Sequence, residues 1–206
     1  MLTMLWPAWR VAVVTCVLCG VAYPLAVTGL GQWLLPFEAS GSLQRSPDGT
    51  VIGAQLIGQQ WAGEEWFHGR PSATTDVDPA DPSKNIEAPY NAASSGASNF
   101  GPTSKQLAER LAADRATLEK SQPELAGTLL PADMLTASGS GLDPDITPAD
   151  AALQVARVAH ALGVPTADIE ALVEEHITAR SLGVFGEPRV NVLALNLALQ
   201  RAYPRH

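Results

Sequence analysis

Side chains that could do chemistry are present in this sequence, but they do not fall into a catalytic spacing. The histidines have neither a histidine four residues away nor the nearby cysteine that a zinc site needs: they are His68, His160, His176 and His206. The stretch 96–100 (GASNF) resembles the sharp turn that exposes a nucleophilic serine, but Phe100 stands where that turn needs its last glycine. We therefore predict no catalytic residue and no metal site.

Phosphate-binding and redox motifs are also missing from the sequence. It contains no G-x-x-x-x-G-K-[ST], so no P-loop is predicted, and the glycines of 29–31 lack the third glycine of a dinucleotide site. Cys16 and Cys19 form a C-x-x-C within an apolar stretch, whereas a reactive thiolate needs basic, partly exposed surroundings. The aspartates of 76–81 lack the central glycine and distal glutamate of a calcium loop. No cofactor is predicted from these residues.

The longest uncharged stretch predicts a membrane anchor. Val11–Phe37 contains no Asp, Glu, Lys or Arg, and as a helix it is roughly 40 Å long, against about 30 Å of bilayer hydrocarbon. Trp6, Trp9 and Trp33 near its ends are typical of interfacial aromatic belts. Pro24 predicts a kink. The alternative is a cleaved signal peptide, although its apolar region ordinarily holds about 7–15 residues.

The basic residues around this stretch predict its orientation. Arg10 precedes it, and the first basic residue beyond it is Arg45. The positive-inside rule then places the N-terminus in the cytoplasm. We predict a short cytoplasmic segment 1–10, a transmembrane helix 11–37 and a soluble extracytoplasmic domain 38–206.

The charge of the chain is concentrated after Phe37. That part holds 12 of the 13 basic residues and all 21 acidic ones, so its net charge is −9. The whole chain has a net charge of −8, because Arg10 lies before it. A duplex-binding protein needs a basic surface, so nucleic acid is excluded as a partner. A hydrophobic fraction of 46% excludes a disordered chain.

Short apolar and amphipathic stretches predict an α+β fold for this domain. Val51–Ile57 predicts a strand, and 129–135 predicts a short strand or core segment. The aromatic residues of Trp61–Phe67 are expected to cover a core or form an interface. Arg70–Pro102, rich in proline and without apolar periodicity, predicts a long loop.

Helices are predicted over the later residues from their caps. Thr103 is expected to cap a helix over 104–120, and Thr147 followed by proline begins the next. Thr166 begins a third helix that turns Ile169, Val173 and Ile177 inward. Val190–Ala202 is compatible with a strand or with a helix capped by Asn191, and we favour the helix.

Several irregular stretches, in order along the chain, resemble one family: the C subunit of the bacterial Kdp high-affinity potassium-transporting ATPase. They run from about residue 20 to residue 199 and comprise YPLAVTG (23–29), GSL (41–43), LIGQ (56–59), GRPSA (69–73), YN (90–91), SGASNFGPTS (95–104), LTASGSGLDP (135–144), GEPRVNVL (186–193) and LNLAL (195–199). Two positions depart from the family pattern. Asp145 stands where histidine is usual, and His68 where an aromatic residue is usual.

The resemblance implies a subunit of a pump in the bacterial inner membrane. Its partners would be a channel-like A subunit, a P-type ATPase B subunit that hydrolyses ATP, a small F subunit and membrane lipid. The family subunit is needed for assembly and is described as a catalytic chaperone that raises the ATP affinity of the B subunit. ATP is expected only with that B subunit, because a domain outside the membrane meets no ATP.

The resembling stretches supply candidate residues for contact with partner subunits. Small and amide side chains there let a loop lie close to a partner's backbone, although they also suit the domain's own turns, and both interpretations stay open. The candidates are Arg70, Pro71, Ser72, Asn91, Ser98, Asn99, Ser138, Ser140, Asp143, Arg189 and Asn191. The alternative from another class is a membrane-anchored extracytoplasmic hydrolase.

Overall fold

The computed structural model describes residues 2–46 and 48–204. The last histidine, His206, lies outside them. The chain divides into two compact units, Met1–Ala54 and Gln55–His206. The mixed helix and strand content confirms the α+β prediction.

The first unit begins with a long apolar helix. Its parts are α1 (Leu2–Val17), a π-helical turn (Leu18–Ala22) and α2 (Tyr23–Leu34). The portion Met4–Leu34 is 31 residues long and is apolar enough to cross a membrane, at about 46 Å for 1.5 Å per residue. The π turn lies just before Pro24, whose ring crowds the carbonyl four residues earlier. The helix therefore accommodates Pro24 by widening one turn rather than by ending.

A short helix and a hairpin complete the first unit. They are α3 (Pro36–Ala39), β1 (Leu43–Arg45) and β2 (Val51–Ala54), with β1 and β2 antiparallel. The predicted strand over Val51–Ile57 was too long. Its partner strand begins at Leu43, which pairs with Ala54, so no ladder partner exists beyond that residue.

The second unit contains helices on a small antiparallel sheet. Its helices are α4 (Lys105–Ser121), a 3₁₀ turn (Pro123–Leu125), α5 (Ala132–Leu135), α6 (Pro148–Leu162), α7 (Thr166–Glu175) and α8 (Val192–Ala202). Its strands are β3 (Thr75–Val77), β4 (Asn85–Glu87), β5 (Asp145–Ile146), β6 (Ile177–Thr178) and β7 (Arg189–Asn191). Strand β7 lies between β5 and β6 in one sheet, and β3 pairs with β4 in a separate two-stranded sheet.

The core lies where α6, α7 and α8 meet the β5–β7–β6 sheet. Helix α6 repeats buried residues at helical spacing. The core side chains are Phe67, Ile146, Ala151, Val155, Val158, Ala159, Ile169, Val173, Val190, Val192, Leu195 and Leu199. Trp61 and Trp66 pack against this core half-buried, so the aromatic stretch covers it, as predicted.

Two helix caps follow the sequence prediction. The Thr147 hydroxyl accepts a hydrogen bond from the backbone N–H of Asp150 at 3.1 Å. The Asn191 side-chain oxygen accepts from the N–H of Ala194 at 2.9 Å, which begins α8. Residues 192–202 are helical, as favoured, and only Val190 and Asn191 of the ambiguous stretch belong to strand β7.

Four local predictions were wrong or incomplete. Helix α4 is preceded by Ser104 rather than Thr103, without a side-chain cap. Within the stretch 129–135, Ala132–Leu135 form the short helix α5 rather than a strand, while Leu130 is buried, as the alternative of a core segment predicts. Ile177 does not turn inward from α7, since the helix ends at Glu175 and Ile177 belongs to the exposed strand β6. The predicted loop 70–102 includes the β3–β4 hairpin.

Candidate functional site

A polar cleft of about 350 Å³ brings together three of the predicted contact residues. Arg70 approaches Asp143 from one side, with 3.0 Å between Nη1 and Oδ2. Arg189 pairs with Asp145, with 3.0 Å between Nε and Oδ2. The cleft walls come from the segment after Phe67, from β5 and the loop before it, and from the start of β7. The sequence named Arg70, Asp143 and Arg189 separately, and the fold places them at one site.

The guanidinium of Arg70 is held by more than its ion pair. Its Nη2 lies 3.3 Å from the hydroxyl of Thr136, and Asp143 accepts the backbone N–H of Asp145 at 3.1 Å through its other oxygen. The Arg70 side chain keeps a quarter of its surface exposed. A partly exposed ion pair adds little stability, so this arrangement chiefly fixes the direction of the charges at the cleft.

Asn191 lies at the end of strand β7 and at the start of α8, and it bonds the cleft residue Asp145. Besides capping the helix, its Nδ2 donates to the Gln55 carbonyl at 2.9 Å and to the Asp145 carboxylate at 3.1 Å. Every polar atom of its side chain is therefore engaged within this chain. Its observed contacts are those of a positioning residue for Asp145.

The small polar candidates bind one another's loops. The Ser72 hydroxyl donates to the Gly141 carbonyl at 2.8 Å, and the Ser138 backbone N–H donates to the Pro71 carbonyl at 2.9 Å. Asn91 donates through Nδ2 to a strand β3 carbonyl at 3.0 Å. These bonds support the interpretation that the serines and glycines serve the domain's own turns. Ser72 contributes its hydroxyl group and Ser138 its backbone N–H.

Ser140 differs from the buried Ser138 because it remains exposed. Its carbonyl accepts from the backbone N–H of Gly96 and from the Ser95 hydroxyl, each at 2.9 Å. Ser98 and Asn99 follow in the same loop, where Asn99 is exposed with φ of +54° and bonds its own loop at 3.1 Å. Neither of the last two residues lines the cleft.

Two glycines allow these loops to pack closely. A Cβ on Gly141 would meet Thr74 and would lie 2.7 Å from the Gly96 carbonyl oxygen, and its φ of +70° favours glycine. A Cβ on Gly58 would lie 2.6 Å from the ring of Tyr90. The Tyr90 hydroxyl donates to the Arg70 carbonyl at 2.6 Å, and burial raises the pKa of Tyr90 to about 12. Tyr90 thus acts as a neutral donor that fixes the backbone bearing Arg70.

A buried polar clamp was missed by the sequence analysis. Residues 64–68, which we call the docked segment, have backbone groups that are bonded by side chains of α6 and α8. Asn196 accepts from the Phe67 N–H and donates to its carbonyl, both at 2.9 Å. Gln154 does the same for His68 at 2.8 and 3.0 Å. Arg157 donates to the carbonyl of Trp66 at 3.0 Å. Polar residues spaced three or four apart on the apolar face of α6 were the available signal.

Burial shifts the pKa values of two groups at this clamp. It raises the pKa of Asp150 to about 7, and nearby Asp133 adds to the effect while Gln154 opposes it. It lowers the pKa of His68, with a further contribution from Arg157. His68 contacts the Gly63 carbonyl at 3.0 Å. Its observed neighbours are those of a structural histidine.

No metal-binding group is found among the described residues. In 2–46 and 48–204, three His, Cys, Asp or Glu side chains are nowhere placed to hold a metal ion. His176 contacts the Leu172 carbonyl at 2.8 Å rather than a nucleophile. What the cleft offers is a mixed-charge surface able to bind polar groups of a partner.

Comparison with known proteins identifies the family. The pattern of the K+-transporting ATPase c chain (KdpC) matches residues 5–201. The potassium-transporting ATPase KdpC subunit of Rhodopseudomonas palustris is 58% identical over 186 residues, covering 90% of each chain. Those of Methylobacterium nodulans and Bradyrhizobium diazoefficiens are 53% and 52% identical, covering 97% and 98% of each chain. The chain belongs to the KdpC family, and its role lies in potassium transport as part of an ATPase complex.

Proposed function

We propose that this chain is a non-catalytic subunit that assembles and stabilises a potassium-transporting ATPase complex. Its partners would be the channel-like A subunit, the P-type ATPase B subunit and the small F subunit. The observation that carries the proposal is the match of residues 5–201 to the c chain of such ATPases. The mixed-charge cleft supports it, because a docking surface needs oriented charges rather than a catalytic group.

The proposed topology is a single pass through the bacterial inner membrane, with segment 1–10 in the cytoplasm and the soluble domain 38–206 outside. The apolar helix Met4–Leu34 and the positions of Arg10 and Arg45 support it. A reporter enzyme that folds only outside the cytoplasm, fused after the last residue, is expected to be active. Activity only of a cytoplasmic reporter in the same position would reverse the orientation.

An effect on ATP affinity, the family's chaperone role, would act through the B subunit without nucleotide contact by this chain. Four carboxylates line the cleft beside its two arginines: Asp133, Asp143, Asp145 and Glu187. The negative charges of these carboxylates repel the negative charges of a polyphosphate. A fluorescent ATP analogue is expected not to bind the purified chain in detergent. Saturable binding that unlabelled ATP reverses would show direct contact.

Co-purification tests the assembly role. The tagged full chain, expressed with its neighbouring transport subunits, is expected to retain a channel-like protein and a P-type ATPase in detergent. Arg70→Ala and Ser140→Trp should each reduce the amount retained, because one removes an oriented cleft charge and the other adds bulk at an exposed loop.

Arg115→Ala is the matched control, since Arg115 is a half-exposed arginine in an ion pair with Glu119 on α4, outside the cleft. Thermal unfolding of each variant separates loss of fold from loss of contact. Full retention by both the Arg70 and the Ser140 variant would remove these residues from the interface, while failure of the unmodified chain to retain either subunit would reject the proposed function.

A further inference from the structure

The connection between β6 and β7 displays apolar side chains to solvent. We call residues 179–188 the apolar hairpin. At its tip Leu182, Val184 and Phe185 are 90%, 71% and 66% exposed. Single exposed apolar residues are common in soluble domains, whereas a contiguous group of large ones marks an interaction surface.

The apolar hairpin has a defined conformation. The N–H of Ser181 donates to the Phe185 carbonyl at 2.8 Å, and the N–H of Phe185 donates back to the Ser181 carbonyl at 2.9 Å. An ion pair joins Arg180 and Glu187 across its stem. These bonds hold the tip side chains in a fixed display.

The backbone conformation of Leu182 costs free energy that no contact of its side chain within the chain offsets. Its φ is +54°, a region that a bulky side chain avoids. Its side chain meets almost nothing in return, being 90% exposed. Neither backbone geometry nor burial within this domain explains a leucine at this position.

We propose that the tip of the apolar hairpin inserts into an apolar groove on another subunit of the same membrane transport complex. The proposal rests on the proposed function, because that function supplies the partner. It adds the element that makes the contact and the apolar chemistry of the surface that receives it.

A lipid surface fits the apolar hairpin less well. Segments that lie in the membrane interface carry Trp or Tyr together with Lys or Arg that meet anionic headgroups. The tip, SLGVFG (181–186), has none of these residues, and the chain after Phe37 has a net charge of −9. Anionic lipid repels such a domain.

A second copy of this chain is also disfavoured, on the ground of area. Three side chains of this size offer a few hundred Å², whereas each partner in a stable free complex contributes roughly 800 Å². A small apolar contact suffices when the two proteins are already held side by side, because tethering raises their effective concentration. A chain anchored in a membrane complex meets that condition.

The apolar hairpin continues into the polar cleft. Gly186, Glu187, Pro188 and Arg189 form one wall of that cleft. An apolar anchor beside oriented charges is the usual anatomy of a protein interface, with a desolvated centre and a polar rim. The hairpin and the cleft therefore form one continuous docking face.

Photocrosslinking tests the contact in membranes. A photoreactive phenylalanine analogue replaces Leu182 in the full chain, expressed with its partner subunits. Leu129 is the matched control position, because it is a leucine that is 92% exposed and lies outside the apolar hairpin. We expect a covalent adduct with one partner subunit at least fivefold stronger from position 182 than from 129. An adduct only with lipid or with a second copy, or equal yields from the two positions, would overturn the proposal.

Retention of partners gives a second measurement. Leu182→Ser combined with Phe185→Ser should reduce the partner subunits retained after a detergent wash by about tenfold, the effect of losing roughly one large apolar contact. Leu129→Ser should leave retention unchanged. If the unmodified chain and the double variant both keep their partners, the hairpin proposal fails and the proposed function stands. If the unmodified chain keeps none, both fall, and if the double variant misfolds, the crosslinking result decides.

Discussion

The docked segment 64–68 and the apolar hairpin 179–188 are both stretches between regular elements, yet they are held in opposite ways. The docked segment makes no strand ladder, and side chains of α6 and α8 bond its backbone. It buries Phe67 completely. The apolar hairpin bonds its own backbone and leaves its large side chains in solvent.

This difference assigns the two segments different roles: the docked segment stabilises the fold, and the apolar hairpin is available to contact a partner. A buried backbone without a ladder partner must be bonded by side chains, so Asn196 and Gln154 are needed by the fold. A hairpin that satisfies its own backbone leaves its side chains available for another molecule. Loss of a clamp side chain should therefore affect unfolding, and loss of a tip side chain should affect assembly.

The largest effect is expected from Asn196→Ala. This change leaves both backbone groups of Phe67 buried without a bond and opens a small cavity, at a cost of about 3–5 kcal/mol in the free energy of unfolding. Denaturant unfolding of the full chain in detergent measures it. Asn85→Ala, at an exposed asparagine of strand β4 whose φ is not positive, is the control and should change stability by less than about 0.5 kcal/mol. A loss below about 1 kcal/mol at position 196 would mean that the clamp is not needed.

The second prediction concerns pH. Burial raises the pKa of Asp150 from its usual 3.8 to about 7. The folded chain therefore binds a proton more tightly than the unfolded chain, so this group's contribution to stability is full below about pH 4 and is lost as pH rises through 7. Asp150→Asn removes the dependence. Relative to that variant, the unmodified chain should lose up to about 4 kcal/mol between pH 4 and 8, at about 1.4 kcal/mol per pKa unit.

Unfolding of both proteins across this pH range measures the difference. Asp168→Asn, at an exposed aspartate on α7, reports the pH dependence that the rest of the chain shares. Parallel stability curves for Asp150→Asn and the unmodified chain would mean that Asp150 is ionised throughout this range.

The hydrogen bonds that the sequence predicted join residues close together in the chain, and those that it missed join residues far apart in the chain. The caps at Thr147 and Asn191 bond groups three residues away, and local sequence sufficed to predict them. Asn196 bonds a residue 129 positions earlier, and Gln154 bonds one 86 positions earlier. Periodicity marks these side chains only as polar residues on apolar helix faces. Their partners follow from the tertiary fold.

The same distinction applies to the cleft. Arg70, Asp143 and Arg189 were predicted from the resemblance to the family. Their position at one cleft depends on the pairing of β5 with β7, which the sequence does not show. The apolar hairpin has two glycines and a proline, which predict chain reversals. Exposure of its leucine, valine and phenylalanine is a property of the folded chain.

A smaller effect of opposite sign is expected from Leu182→Gly. Glycine adopts a φ of +54° without strain, and after its greater unfolded-state entropy is subtracted the folded chain should gain about 0.5–1 kcal/mol. The same variant should retain less partner, because the most exposed apolar side chain is gone. Leu129→Gly is the control and should bring neither the gain in stability nor the loss of partner. A variant that is both less stable and fully assembled would contradict the separation of roles between clamp and hairpin.

The smallest effect is expected from Glu187→Gln, which removes the ion pair with Arg180. Both side chains are well exposed, so the pair should contribute less than about 0.5 kcal/mol, and salt should reduce that further. Unfolding at low and high salt measures it, and crosslinking from position 182 should persist because the Ser181–Phe185 backbone bonds remain. A loss above about 1.5 kcal/mol that salt abolishes would show that charge, rather than the backbone, holds the hairpin. High ionic strength could then release the contact made by the tip, unlike the buried bonds between Phe67 of the docked segment and Asn196.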